Sequence, residues 1–119
     1  MSGKTGYYAG QAGEDSVAAA YEKLNFPIVA RRWRGKSGEI DLIARDGEQV
    51  IFIEVKKSGD FAKAATRIGR RQMDRIVRAG SEFLAGEPKG QLTDVRFDLA
   101  LVNNQGQVKV LENAFCEDW

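Results

Sequence analysis

GEIDLIARDGEQVIFIEVK, residues 38–56, is the stretch whose reading decides the fold. Two apolar runs, 39–44 and 49–56, flank the pair Asp46-Gly47, a strong short-range signal for a two-residue hairpin loop. Both runs are predicted strands. Because strand side chains alternate, Val50, Phe52, Glu54 and Lys56 point one way while Ile51, Ile53 and Val55 point the other. A loop closed on Asp46-Gly47 sets Arg45 against Glu48. Counting back, Asp41 falls opposite Phe52 and diagonal to Glu54, on the same face. A slip of one residue would carry Asp41 to the other face, so this juxtaposition depends on the parity of the loop.

Outward from the hairpin, Val17, Ala20, Tyr21 and Leu24 mark an amphipathic helix over 11–24, which Pro27 stops. Residues 26–33 read as a strand and 35–38 as a polar loop in which Ser37 and Gly38 serve the turn. Residues 57–65 read as a loop. Helical spacing resumes near Ile68, with Ile76, Val77, Gly80, Phe83 and Leu84 as the inner stripe and Gly86 and Pro88 as the stop. Strands follow at 93–102 and 107–112. The order helix, three strands, helix, two strands predicts an α/β fold, a mixed central sheet flanked by helices. Residues 1–10 read as a flexible leader and 11–119 as one domain. The GKT at 3–5 lacks the upstream glycine of a phosphate-binding loop.

A chain of 119 residues can bury roughly 65 % of its unfolded surface without a disulfide or a metal staple. Cys116 is the sole cysteine, which fits a reducing cytoplasm. No apolar run approaches the roughly 20 residues that span a bilayer, so no membrane partner is expected. The chain has no histidine, which excludes Ser-His-Asp and Cys-His nucleophiles, zincins and the usual zinc fingers. Hydrolytic chemistry would have to rest on carboxylates, lysine and a hard cation.

Asp41, Glu54 and Lys56 supply that set. Two carboxylates and an ammonium amid apolar neighbours are costly to desolvate unless something pairs them. Mg²⁺, or Mn²⁺ in its place, would do so through Asp41, Glu54 and the Val55 carbonyl, with water and phosphate oxygens completing its shell. Lys56 would orient an attacking water or neutralise charge developing on phosphorus. The competing reading is a structural salt-bridge cluster.

Basic residues number 18 against 17 acidic, so placement matters more than the total. Arg31, Arg32, Arg34 and Lys36 precede the Asp41 strand. Lys63, Arg67, Arg70, Arg71, Arg75 and Arg78 surround the second helix, where 67, 71, 75 and 78 form one stripe. Such clusters suit a phosphate backbone, and the expected partner is DNA. A solvated helix face is the alternative. Trp33, Tyr7 and Tyr8 could stack on bases, although Trp33 also reads as core.

The stretch 38–56, together with GEDSVAAAYEKL at 13–24 and RFDLALV at 96–102, resembles the YraN family of small bacterial proteins. That family is similar to archaeal Holliday-junction resolvases, within the PD-(D/E)XK nucleases. The resemblance implies a restriction-endonuclease-like α-β-β-β-α-β core and a Mg²⁺-dependent endonuclease acting on DNA, including branched forms. It makes Asp41 the motif aspartate, Glu54 and Lys56 the E-x-K pair, Glu14 the acid of the first helix, active in catalysis or metal binding, and Gln72 a catalytic polar position on the second helix. A two-fold homodimer would suit a branched substrate. The rival function is a non-catalytic nucleic-acid-binding module on the same fold. Glu14 could instead serve the helix dipole, and Gln72 could be a satisfied buried amide. Asp98 reads as structural, paired with Arg96 or a loop amide. Glu39 is set aside as facing away from Asp41.

Overall fold

The computed structural model describes residues 2–65 and 68–114, with the backbone alone for 2–10, 64 and 65. The hairpin forms at its centre: β2 (Glu39–Asp46) pairs antiparallel with β3 (Gln49–Lys57). Its turn is centred on Gly47-Glu48 rather than Asp46-Gly47, since Asp46 pairs with Gln49 and Gly47 takes φ +61° at the first central position, the place where a type II′ hairpin requires glycine. Sliding a two-residue turn by one position shifts every cross-strand partner by two. Parity is therefore kept, but Leu42 now pairs with Ile53, so the register at Asp41 runs toward Glu54 instead of Phe52.

Around this hairpin the order is α1 (Ser2–Lys23), β1 (Ile28–Arg34), β2, β3, α2 (Phe61–Ala65), α3 (Arg70–Leu84), a 3₁₀ turn (Gly90–Leu92), β4 (Val95–Val102) and β5 (Val108–Leu111). One five-stranded sheet runs β1-β2-β3-β4-β5. β3 and β4 are parallel and the other neighbours antiparallel. This is the predicted mixed α/β sheet with flanking helices, in the α-β-β-β-α-β order of a restriction-endonuclease-like core.

Three expectations are revised. α1 begins at Ser2, not near Gln11, so the helix runs on through the residues read as a leader. Nothing there breaks it: the segment has no proline, and its glycines lower helix propensity by about 1 kcal/mol each without forbidding the conformation. Residues 61–65, read as loop, form α2 because Asp60 caps it, its Oδ1 accepting the Ala62 N–H at 2.8 Å. β1 carries an irregularity between Ile28 and Ala30, which leaves Val29 exposed.

Alternation along the strands gives the sheet two apolar faces. α1 covers one with Val17, Ala18 and Tyr21 against Leu42, Ala44, Ile51, Ile53, Ala100 and Val102. α3 covers the other with Met73, Ile76, Ala79 and Leu84 against Ile43, Val50, Phe52 and Phe97. Gly80 lets α3 settle onto the aromatic centre, where a Cβ would stand 3.0 Å from Phe52 Cε2. Phe52 is fixed there between Phe97, stacked at 5.1 Å, and Phe83, edge-on at 5.8 Å.

Asp98 is fully buried on the α1 face. Tyr21 donates to its Oδ2 at 2.6 Å, Arg96 places two guanidinium N–H groups on its two oxygens at 2.9 Å each, and the Asn113 N–H donates at 2.9 Å. Arg96 also reaches Glu112 at 3.1 Å and lies over the Phe26 ring. The structural reading of Asp98, paired with Arg96 and a loop amide, holds. Burial and the Asp98 carboxylate keep the Tyr21 phenol protonated far above its usual range. Among the described residues no helix is long and apolar enough to cross a membrane.

Candidate metal centre

Beyond Leu42 and Ile53, the last of their paired residues, β2 and β3 meet through a side chain: Asp41 Oδ2 accepts the Val55 N–H at 2.8 Å. This contact brings the Asp41 carboxylate to Glu54, on the α3 face. Glu54 Oε2 in turn accepts the Gln72 amide N–H and lies 3.3 Å from Lys56 Nζ. The first turn of α3 supplies Gln72, four residues before the buried Ile76 and hence on the same inward helix face. Gly38, Glu39, Asp41, Glu54, Gln72, Arg75 and Ile76 line a cavity of about 230 Å³.

Glu54 is nearly buried. Desolvation, then the Asp41 charge and hydrogen bond, push its pKa up to about 8 against the opposing pull of Lys56. Two carboxylates held this close cannot both ionise cheaply in the absence of a cation. The pair therefore fits a hard divalent ion, which takes one or two carboxylates and fills its shell with water and phosphate oxygens. Among the described residues no three acidic or other ligating side chains lie close enough to hold an ion by themselves, so a bound cation would take most of its shell from water and substrate.

A pH dependence follows. A carboxyl whose pKa is raised on folding holds its proton more tightly in the folded chain than in the unfolded one. Its stabilising contribution is complete below the ordinary carboxylate range and is lost as pH rises through about 8. In EDTA the melting temperature should fall between about pH 5 and about pH 9; Mg²⁺ should restore it at the alkaline end, and Glu54→Gln should flatten the profile. A wild-type profile in EDTA no steeper than that of the Gln variant would contradict the raised pKa.

The structure gathers Asp41, Glu54, Val55, Lys56 and Gln72. Glu14 is not on the cavity wall; its carboxylate pairs with Arg32 at 3.1 Å. Glu39, set aside as facing away, does line the cavity with Asp41. Its Oε2 meets Arg34 at 3.1 Å. Alternation alone does not place it, since Ile40 beside it packs in the same α3-side core as Ile43. The β1–β2 loop at the cavity rim is latched by Glu82, whose carboxylate accepts the Ser37 hydroxyl at 2.8 Å and the Ser37 N–H at 3.3 Å. Those bonds hold the Glu82 carboxyl below its usual range. A Cβ at Gly35 would collide with the same carboxylate.

The two basic clusters fare differently. Arg31 pairs with Asp15 at 2.6 Å, Arg32 with Glu14 and Arg34 with Glu39, so β1 is largely neutralised by acids that folding brings to it. Lys36 is exposed beside Glu82. On α3, Arg70 pairs with Asp74 at 3.5 Å, whereas Arg71, Arg75 and Arg78 are exposed with no acidic partner among the described residues. Arg67 and the side chains of Tyr7 and Tyr8 lie outside the described residues. Trp33 packs edge-on against Phe83 at 5.5 Å, as core.

The family model for "Uncharacterised protein family UPF0102" matches residues 13–102, a span that contains Asp41, Glu54, Lys56 and Gln72. A UPF0102 protein of Cereibacter sphaeroides is 64% identical over 115 residues, covering 97% of this chain and 98% of its own. One from Ruegeria pomeroyi is 55% identical, covering 95% and 92%. Another, from Roseobacter denitrificans, is 50% identical, covering 98% and 90%. With nearly whole-length relatives and a family match across four of the five strands, β1 to β4, the chain belongs to the protein family UPF0102, the YraN family that its central hairpin resembles.

Proposed function

We propose that this protein is a Mg²⁺-dependent endonuclease that hydrolyses phosphodiester bonds in DNA, with branched or structured DNA as the substrate class. The observation that carries the reading is the approach of Asp41 and Glu54, from adjacent strands, within one cavity, with Lys56 Nζ 3.3 Å from Glu54. Asp41, Glu54 and the Val55 peptide would hold the cation, which when bound supplies Lewis acidity and lowers the pKa of water. Asp41 is oriented for this by the Val55 N–H. Gln72 and Lys56 both address Glu54 Oε2 and fix that carboxylate in the cavity. Lys56 also carries the positive charge that offsets the extra negative charge on phosphorus as water attacks. In the reaction a water oxygen bonds to phosphorus, one P–O ester bond breaks, and the departing oxygen takes up a proton.

The test incubates the wild-type protein with synthetic four-way DNA junctions, single strands and linear duplex. Cleavage is expected with Mg²⁺ or Mn²⁺ and none in EDTA, the junction being cut in preference. Tight binding without cleavage under every cation would overturn the enzymatic reading in favour of a non-catalytic DNA-binding module.

A further inference from the structure

We infer that Arg75 grips the phosphate presented to Asp41 and Glu54, and that the exposed row Arg71, Arg75 and Arg78 on α3, not the arginines of β1, is the track for the DNA backbone. The inference rests on the nucleic-acid reading above and deepens it.

Arg75 belongs to two surfaces at once. It lines the cavity with Asp41, Glu54 and Gln72, and it is exposed, four residues after Arg71 and three before Arg78. At a rise of about 1.5 Å per residue the row spans about 10 Å of helix. Arg75 is the point where that row reaches the carboxylates.

Its side chain is braced, while its head has no ionic partner among the described residues. A Cβ built on Gly38 would lie 3.8–4.0 Å from Arg75 Cδ, Cβ and Cγ, so the aliphatic stem runs along the Gly38 backbone. The rim that carries Gly38 is itself held by the Ser37–Glu82 latch. The Arg75 guanidinium nevertheless forms no ion pair within 4.0 Å among the described residues, although it shares a cavity with three carboxylates. A fork of five N–H donors kept off those acids suits a tetrahedral anion placed between them. Phosphate is such an anion, and its negative charge calls for a cationic donor beside the carboxylates.

The β1 arginines are the control built into the fold. Each of Arg31, Arg32 and Arg34 already meets a carboxylate, so binding a phosphate there would first require an existing pair to be broken.

The experiment measures affinity of a synthetic four-way junction and a linear duplex in Ca²⁺, as a function of salt, then cleavage in Mg²⁺. Arg75→Ala should weaken binding about tenfold and lower the slope of log affinity against log salt by about one. If the wild type cleaves, it should also lose about 10²- to 10³-fold in kcat, with partial recovery in Arg75→Lys. Arg78→Ala should also lower affinity and the salt slope, and Lys109→Ala on β5 should change neither affinity nor kcat. Circular dichroism and melting of each variant exclude a folding defect. Arg75→Ala binding with wild-type affinity and salt slope would overturn the inference, whether or not the protein cuts DNA. Arg75-dependent binding by a wild type that never cleaves would leave this inference standing and remove the nuclease reading instead.

Discussion

Asp41→Asn is expected to fold at least as stably as the wild type at alkaline pH without metal, and to lose at least about a thousandfold in metal-dependent DNA cleavage. Asparagine keeps an oxygen for the Val55 N–H, now accepted by Asp41 Oδ2 at 2.8 Å, so β2 and β3 stay joined at the site. What disappears is the negative charge. With it goes one of the causes that raise the Glu54 pKa toward 8, the others being burial and the hydrogen bond that the protonated Glu54 donates to Asp41. In EDTA at about pH 8 the variant should therefore melt at or above the wild-type temperature. Mg²⁺ should no longer shift that melting temperature, because a neutral amide oxygen is a poor replacement for a carboxylate on a hard cation. Loss of activity together with unimpaired folding separates a chemical role for Asp41 from a structural one. Cleavage by Asp41→Asn within about tenfold of wild type would remove the metal centre from the mechanism.

The second large effect lies on the opposite face of the sheet and acts on stability. Asp98→Ala should cost about 3–5 kcal/mol, a sizeable share of the roughly 5–15 kcal/mol that holds a domain of this kind together. The carboxylate is fully buried and receives bonds from Tyr21, Arg96 and Asn113. Its removal leaves a phenol, an amide and most of a guanidinium without their acceptor. Glu112 at 3.1 Å and the Phe26 ring keep part of the Arg96 charge company, which places the loss short of a fully orphaned cation. Tyr21→Phe removes a single donor and should cost about 1–2 kcal/mol. Urea denaturation with both variants measures the difference. Kinetic constants per folded molecule should be unchanged, since Asp98 and Glu54 face opposite sides of the sheet. A loss below about 1 kcal/mol for Asp98→Ala would mean that water replaces the carboxylate at little cost.

Much of this architecture was readable before any tertiary information. The hairpin at 38–56, the inward stripe of α3 and the faces of β3 all follow from side-chain periods set by local backbone geometry. So does the presence of Asp41 on the Glu54 face, because parity survives a turn displaced by one position. The boundaries that failed have local causes as well. The cap at Asp60 is a one-residue signal for a helix too short to show periodicity, and Glu39 reaches the cavity wall where the alternation of β2 is broken, Ile40 packing in the same core as Ile43.

By itself the sequence determined that two acids and a lysine share one face of a central hairpin, and that histidine-based nucleophile systems are ruled out. Only the tertiary structure decided that Asp41 bonds the Val55 N–H beside Glu54, that Gln72 reaches Glu54 from α3, and that Asp15, Glu14 and Glu39 neutralise the β1 arginines while Arg75, at the cavity, has no ion pair among the described residues. The physical reason is range. Periodicity reports which way a side chain leaves its own backbone, over a few residues. Which group it meets depends on where a turn closes and how a helix sits on the sheet, and contacts such as Tyr21 with Asp98, 77 residues apart, are fixed by packing between elements.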